Sequence, residues 1–277
     1  MVGERAVWKR AGWTPSLAGL IDTGYGQEPP RFGGPTAVSG RLSFAALELS
    51  LKTLARRNAD GLVTAPISKT AWTLARVPYL DHTEWLAKET GSPEAQMILA
   101  APREKLWTVL VTRHVPLGQV SGLLTSAKVL GAAGSLDRAL RALGMKAPRL
   151  GLCGFNPHAG EEGLLGPEER RVLAPAVRRA RAARLDLRGP VAADTAWRWH
   201  AAGKLDGLVA LYHDQSLIGL KTAAGLSIVN WTTGLPFPRT SPGHGTGFDL
   251  AGRADPDPSA TAEAALLAAR LAARAKK

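Results

Sequence analysis

Residues 207–252 read GLVALYHDQSLIGLKTAAGLSIVNWTTGLPFPRTSPGHGTGFDLAG. The apolar run Leu208-Val209-Ala210-Leu211 predicts a buried strand. Tyr212, His213, Asp214 and Gln215 follow at once, all able to hydrogen-bond, at the strand's carboxyl end. In open α/β sheets, ligands settle at such ends. Lys221, Asn230, Arg239 and His244 come next, separated by Gly and Pro. Two imidazoles, two cations and an amide in so short a length exceed what packing requires.

The chain on either side repeats the alternation of short strands and longer helices. The pattern predicts helices over 39–58, from Lys69, from Asp81 through Lys88, over 120–130 and 136–143, and over 258–277. A further helical run over 167–185 should kink or break at Pro175. Strands are expected over 61–65, 96–101, 106–112 and 149–153, and Met1-Val2-Gly3 reads as the tail of another. Pro29-Pro30 and Gly33-Gly34-Pro35 mark a loop. Ser39 or Ser43, Asp81 or Thr83, and Ser259 or Thr261 are the candidate helix caps. This order argues α/β with a largely parallel core; no fixed-period repeat is present.

The chain has 277 residues, 45% hydrophobic and 21% charged, which suits a globular protein with a large core. Its net charge is +12 and its pI about 10.3. Such a balance fits nucleic acid or a small anionic substrate. The charge is dispersed, however, over Arg170 to Arg184 and Arg270 to Lys277, and aromatics make up only 6%. Solvated helix faces account for most of it, and no nucleic-acid partner is expected. A single cysteine, Cys153, excludes an intrachain disulfide and fits a reducing cytoplasm. No apolar run is long enough to cross a membrane. Charges and Pro interrupt the N-terminus, so no signal peptide is expected.

Several polar residues stand out by context. His114, His158 and His213 each lie just beyond a predicted strand, and parallel strand ends can gather on one side. Three imidazoles can hold a divalent cation, yet no local spacing joins them: from spacing alone three unrelated surface histidines are the better reading, and the shared context keeps the metal as a hypothesis. Thr64, Ser68 and Lys69 suit an anion, or Ser68 simply caps a helix after a Pro turn. His82 and Thr83, at a helix N-terminus, suit phosphate, while Asp81 or Thr83 there suits a cap. His244 sits in a Gly-rich loop that lets backbone approach a nucleotide, although no GxGxxG fingerprint is present. His200 has no such context and reads as structural.

Seven motifs occur in order: TAPISK (64–69), DHTE (81–84), NPHAGE (156–161), ADT (193–195), YHDQ (212–215), VN (229–230) and GLPFPRTSPGHGTGFDLAG (234–252). Together they resemble the 4-hydroxythreonine-4-phosphate dehydrogenase family of pyridoxal phosphate biosynthesis, from about residue 39 to the C-terminus. The resemblance implies a two-lobed α/β fold like isocitrate and isopropylmalate dehydrogenases, with the active site in the cleft between lobes. Residues 1–75 plus 236–277 would form the nucleotide-side lobe, and 76–235 the metal, substrate and dimerisation lobe. It implies one divalent metal per site (Zn, Co, Mg or Mn) on His114, His158 and His213, at a homodimer interface that shares active sites. Substrate contacts fall to His82, Thr83, Lys221, Asn230 and Arg239. Catalytic roles fall to Lys221, Asp214 and Asp194. NAD or NADP contacts fall to His244, Gly245, Thr246 and Asp249. The implied reaction oxidises 4-phosphooxy-L-threonine and decarboxylates it to 3-amino-2-oxopropyl phosphate, in the cytoplasm.

The chain departs from this pattern in three places. A GDPxGIGPE segment is missing, so entry about one βα unit late is expected, with an exposed sheet edge. Asp81 replaces a Gly, and Gly243 replaces an acid. Relatives acting on 4-phosphoerythronate or 4-phosphothreonate share the motifs, and a non-catalytic homologue that binds metal or a phosphorylated ligand would retain many of them.

Overall fold

The computed structural model describes residues 1–26, 33–253 and 256–276. In chain order the elements are β1 (Val2–Gly3), α1 (Arg5–Arg10), β2 (Ile21–Asp22), α2 (Ala37–Ala55), β3 (Leu62–Val63), α3 (Lys69–Leu74), α4 (His82–Glu89), β4 (Gln96–Ala101) and β5 (Leu106–Leu110). There follow α5 (Val120–Leu123), α6 (Ser126–Ala142), β6 (Leu150–Cys153), α7 (Ala174–Ala182), β7 (Leu187–Val191), α8 (Ala193–Ala201) and β8 (Gly207–Ala210). The chain ends with α9 (His213–Ala224), β9 (Val229–Thr233), β10 (Arg239–Pro242) and α10 (Ser259–Ala275).

Eight strands form one sheet in the order β3-β10-β9-β4-β5-β8-β6-β7. β5, β8, β6 and β7 are parallel neighbours, as are β3 and β10, whereas β10–β9, β9–β4 and β4–β5 are antiparallel. The expected α/β class is therefore observed, with an antiparallel insert between two parallel runs. The β4–β5 pair is antiparallel because only a short turn joins them, and parallel pairing needs a long crossover. The sheet takes strands from both sides of 75/76 and 235/236, the lobe boundaries expected from the resemblance: β3 and β10 from one side, β4 to β9 from the other. β1 pairs with β2 in a separate two-stranded sheet, so Val2-Gly3 is strand, as read. β7, which contains Pro190, lies at one edge of the large sheet, where a missing N–H is tolerated. β3 lies at the other edge.

Strand periodicity divides the core between the two faces. Ile98, Val109, Val209, Val229 and Trp231 pack with α6 and α10 residues such as Leu136, Leu140, Leu267 and Leu271. Their alternates Leu99, Leu110 and Ala210 pack with Leu220 of α9. A third cluster holds α2, α3 and α4 together around Phe44, Trp72 and Trp85. Each fully buried large side chain contributes about 1.5–3 kcal/mol.

Local boundaries differ from the sequence reading where caps decide. Thr36, not Ser39 or Ser43, caps α2, and Ser39 reciprocates as the third residue of a capping box. The 120–130 helix breaks at Leu124-Thr125, because the Thr125 hydroxyl accepts from Lys128 N and starts one continuous helix, α6, through Gly131 and Gly134. Pro175 is accommodated by a π-helical turn, Glu169–Leu173, ahead of α7. That widening fits a residue with no N–H for the preceding turn. Neither Ser259 nor Thr261 caps α10; Asp257 Oδ1 accepts from Ser259 N instead. Asp81 caps α4 and Ser68 caps α3, as anticipated. The Pro29-Pro30 loop and Lys277 lie outside the described residues.

Candidate functional site

Alternation along β9 sends Val229 and Trp231 into the α6–α10 core, so Asn230 and Thr232 face the other way. Arg239, at the start of β10, is paired opposite Thr232. Its guanidinium donates to Thr232 Oγ1 at 2.9 Å and to Thr64 Oγ1 at 2.7 Å, and it reaches His82 Nδ1 at 3.1 Å. The Arg239 side chain is only 4% exposed, and no carboxylate pairs with it in the described structure. Burial pushes its pKa down to about 10, partly opposed by Asp81. Burial, and then the charge of Arg239, hold His82 at about 3, so its imidazole is neutral and its Nδ1 can accept from Arg239.

Two buried polar atoms in this region have no protein partner: Arg239 Nε and Asn230 Oδ1. Asn230 is opposite Ser241 in the ladder, two residues from the Thr232–Arg239 pair on the same face. A buried, uncompensated guanidinium with an unused N–H is costly in a closed core. It is the expected arrangement for a pocket that receives an anion. Thr83, next to His82 in the first turn of α4, is also buried.

The parallel run β5-β8-β6-β7 places four strand ends on one side of the sheet. His114 follows β5, His213 opens α9 after β8, His158 follows β6, and Asp194 lies in the first turn of α8 after β7. The His114 and His213 rings lie 5.6 Å apart, centroid to centroid. His114 is kept below the usual imidazole range first by burial, then by Lys69, His213 and Arg113, with Asp81 opposing. His213 Nδ1 meets Asp214 Oδ1 at 2.6 Å, and its Nε2 has no hydrogen-bond partner among the described residues. His158 stands on an exposed left-handed turn. Among the described residues no three His, Cys, Asp or Glu side chains gather as a cation site.

Asp194 and Asp214 line an open groove of about 500 Å³ between α8 and α9, floored by Trp197 and Gln215. Asp214 and Lys221 are two turns apart on one face of α9, and both are exposed. His244, Gly245, Thr246 and Asp249 are exposed on one loop, with His244 Nδ1 at 2.8 Å from Gly245 O. His200 is structural: Nε2 accepts from Trp107 N at 2.9 Å and Nδ1 donates to Leu205 O at 3.0 Å. The arginines of α7 and α10 are exposed.

Sequence reading missed Thr232, although its alternation with Asn230 was a usable signal. Thr64 and Lys69 were noticed without a partner to give them meaning. The Glu168–Glu169 pair had no sequence signal at all.

Residues 14–268 match the family described as pyridoxal phosphate biosynthetic protein PdxA. The chain belongs to this family. A relative named 4-hydroxythreonine-4-phosphate dehydrogenase in Sulfurihydrogenibium sp. (strain YO3AOP1) is 39% identical over 238 residues, 86% of this chain and 73% of the relative. One of the same name in Burkholderia vietnamiensis (strain G4 / LMG 22486) is 42% identical over 232 residues, 82% and 71% of the two chains. The crystal structure of 4-hydroxythreonine-4-phosphate dehydrogenase from Klebsiella pneumoniae superposes with a TM-score of 0.81 at 36% identity, covering 93% of this chain and 80% of that one.

Within the PdxA family frame, the two substitutions seen in the motifs have local structural roles. Asp81 Oδ1 accepts from Glu84 N at 2.9 Å, so the carboxylate caps α4 within electrostatic reach of Arg239. At Gly243 an added Cβ would lie 2.8 Å from Ile228 Cγ2 and 3.0 Å from Ile228 O, so a side chain there requires Ile228 to move.

Proposed function

We propose that this PdxA-family chain is a 4-hydroxythreonine-4-phosphate dehydrogenase. It oxidises and decarboxylates 4-phosphooxy-L-threonine to 3-amino-2-oxopropyl phosphate, with NAD or NADP and one divalent metal (Zn, Co, Mg or Mn) per site, as a cytoplasmic homodimer with shared sites. The observation that carries this reading is the buried Arg239, which has an unused N–H and no acid to neutralise it. The relatives' names supply the substrate that fits it: a small phosphorylated hydroxy-amino acid.

The donor set suits a divalent cation. His114 is held toward its neutral, ligating form, and Asp214 on His213 Nδ1 is the carboxylate–imidazole arrangement that orients a ligating ring. In this reading His158 of a second copy supplies the third imidazole. The exposed His244 imidazole and the glycine backbone beside it suit nucleotide approach. When bound, the cation would favour ionisation of the substrate alcohol and the nicotinamide would accept the hydride.

The chain's own residues do the holding. Arg239 and the Thr83 hydroxyl bind the phosphate, with His82 fixing the guanidinium from the side. Asn230 Oδ1 accepts from the substrate's ammonium or hydroxyl. Lys221 Nζ pairs with the substrate carboxylate, the alcohol proton passes to solvent, and Asp214 and Asp194 orient the polar groups around it.

The test is NADH or NADPH formation by purified protein given divalent metal and 4-phosphooxy-L-threonine, with 4-phosphoerythronate and 4-phosphothreonate in parallel. Reduction with the first substrate is expected. No reduction with any of the three would refute the dehydrogenase, and turnover of only one of the other two would reassign its substrate.

A further inference from the structure

His158 makes no side-chain hydrogen bond among the described residues, so the backbone alone aims its ring. That backbone is unusual. His158, Ala159, Gly160, Glu161 and Glu162 have φ of 51°, 54°, 83°, 41° and 58° in succession. Four of the five carry a Cβ, which the left-handed region disfavours. Such a turn persists only where its surroundings over-determine it.

The surroundings are two adjacent carboxylates on the π-helical turn and its approach. Glu169, 6% exposed, accepts from Phe155 N at 2.8 Å and Asn156 N at 2.7 Å through Oε1, and from Asn156 Nδ2 at 2.8 Å through Oε2. Glu168 takes the other Asn156 Nδ2 hydrogen at 2.9 Å and the Ser121 hydroxyl at 2.6 Å. Those bonds hold the Glu168 carboxyl below the ordinary range. The turn lies directly on Glu169: a Cβ at Gly160 would come within 2.7 Å of Glu169 Oε2. Upstream, Gln215 Nε2 donates to Gly154 O at 2.7 Å while its Oε1 accepts from Leu211 N at 2.7 Å. The base of the turn is thereby tied to the strand end that carries His213.

We propose that Glu169 is a positioning residue for His158: its buried carboxylate locks the left-handed turn that presents this imidazole to the cation. This rests on the reading of His158 as a metal ligand. Glu169 touches neither metal nor substrate; it acts through the backbone of residues 155–160. Supporting groups behind a ligating histidine typically change metal affinity ten- to a hundredfold.

The probe is Co²⁺ alone, titrated into purified metal-free protein and followed by its visible absorption, with amide exchange of residues 155–163 measured before metal is added. His158→Ala should abolish stoichiometric binding. Glu169→Ala should weaken Co²⁺ ten- to a hundredfold and speed exchange across the turn. Glu169→Gln keeps one oxygen for the two backbone donors and should fall between it and the wild type. Should Glu169→Ala fail to fold, Gly160→Ala crowds the carboxylate from the other side and should weaken Co²⁺ in the same range. If His158→Ala binds Co²⁺ normally, the ligand reading fails. If His158→Ala loses the metal while the folded Glu169 variants or Gly160→Ala bind as wild type, the positioning role fails and the ligand reading stands.

Discussion

Replacing Arg239 with Met should separate stability from ligand binding. The guanidinium is almost fully buried, and burial takes its pKa from 12.5 to about 10. At about 1.36 kcal/mol per pH unit, that places a penalty of roughly 3 kcal/mol on the charged form. Its contacts with Thr64, Thr232 and His82 return about 0.5–1.5 kcal/mol each. Met fills a similar length without charge. The ligand-free variant should therefore stay within about 2 kcal/mol of the wild type in urea melts of the apo protein. Truncating one partner of a buried charge pair usually costs about 3–5 kcal/mol instead. The bound state should behave oppositely. A buried, charge-assisted contact to an anion is worth about 2–5 kcal/mol, which is roughly 30-fold to several thousand-fold in affinity at 1.4 kcal/mol per decade. Thermal shifts with inorganic phosphate and with 4-phosphooxy-L-threonine, run beside the urea melts, measure both sides. A loss of more than about 3 kcal/mol in the apo protein would show that a group within the chain already neutralises Arg239. Unchanged phosphate affinity would show that the pocket is not the anion site.

Other perturbations test neighbouring parts. His82 has a folded pKa of about 3 against 6.5 unfolded, so its contribution is complete above pH 6.5 and lost as pH falls toward 3; between pH 6.5 and 4.5 this amounts to about 2 kcal/mol. The stability advantage of wild type over His82→Gln should shrink by that amount across the window, and parallel pH profiles would show that His82 is solvated. Asp81→Asn keeps an equally good cap for α4 but removes the negative charge felt by Arg239, so phosphate should bind on the order of threefold tighter at low salt, with the gain fading as salt screens it; weaker binding would refute the coupling. Gly40→Ala gains helix propensity of about 1 kcal/mol, yet its Cβ would sit 2.1 Å from the Ala71 carbonyl oxygen, so a net loss of about 1–3 kcal/mol is expected from overpacking. Stability equal to wild type would mean that α2 and α3 do not approach so closely.

Much of the architecture was legible because its signals are local. Runs such as Gln96–Ala101 and Leu150–Cys153 are apolar on both sides, as strands covered by helices on both faces must be. Asp81 and Ser68 could be read as caps because a cap bonds only two or three residues ahead. Where several local candidates competed, as at Ser39, Ser43 and Thr36, the chain geometry made the choice. The antiparallel insert was harder to foresee, since strand direction depends on connections and partners that periodicity does not encode.

For the site, sequence alone determined which side chains carry chemistry and that His114, His158 and His213 each stand beyond a strand. It also singled out Arg239 and His82, 157 positions apart. Tertiary structure decided what those residues do to one another. Pairing of β3, β10 and β9 brings Thr64 and Thr232 onto one guanidinium, and that enclosure, not residue type, makes Arg239 an uncompensated buried cation. The adjacent parallel strands β5 and β8 bring the His114 and His213 rings together. A left-handed turn held by Glu169 decides where His158 points. Desolvation and charge coupling act through space at a few ångströms, and only the fold sets those distances.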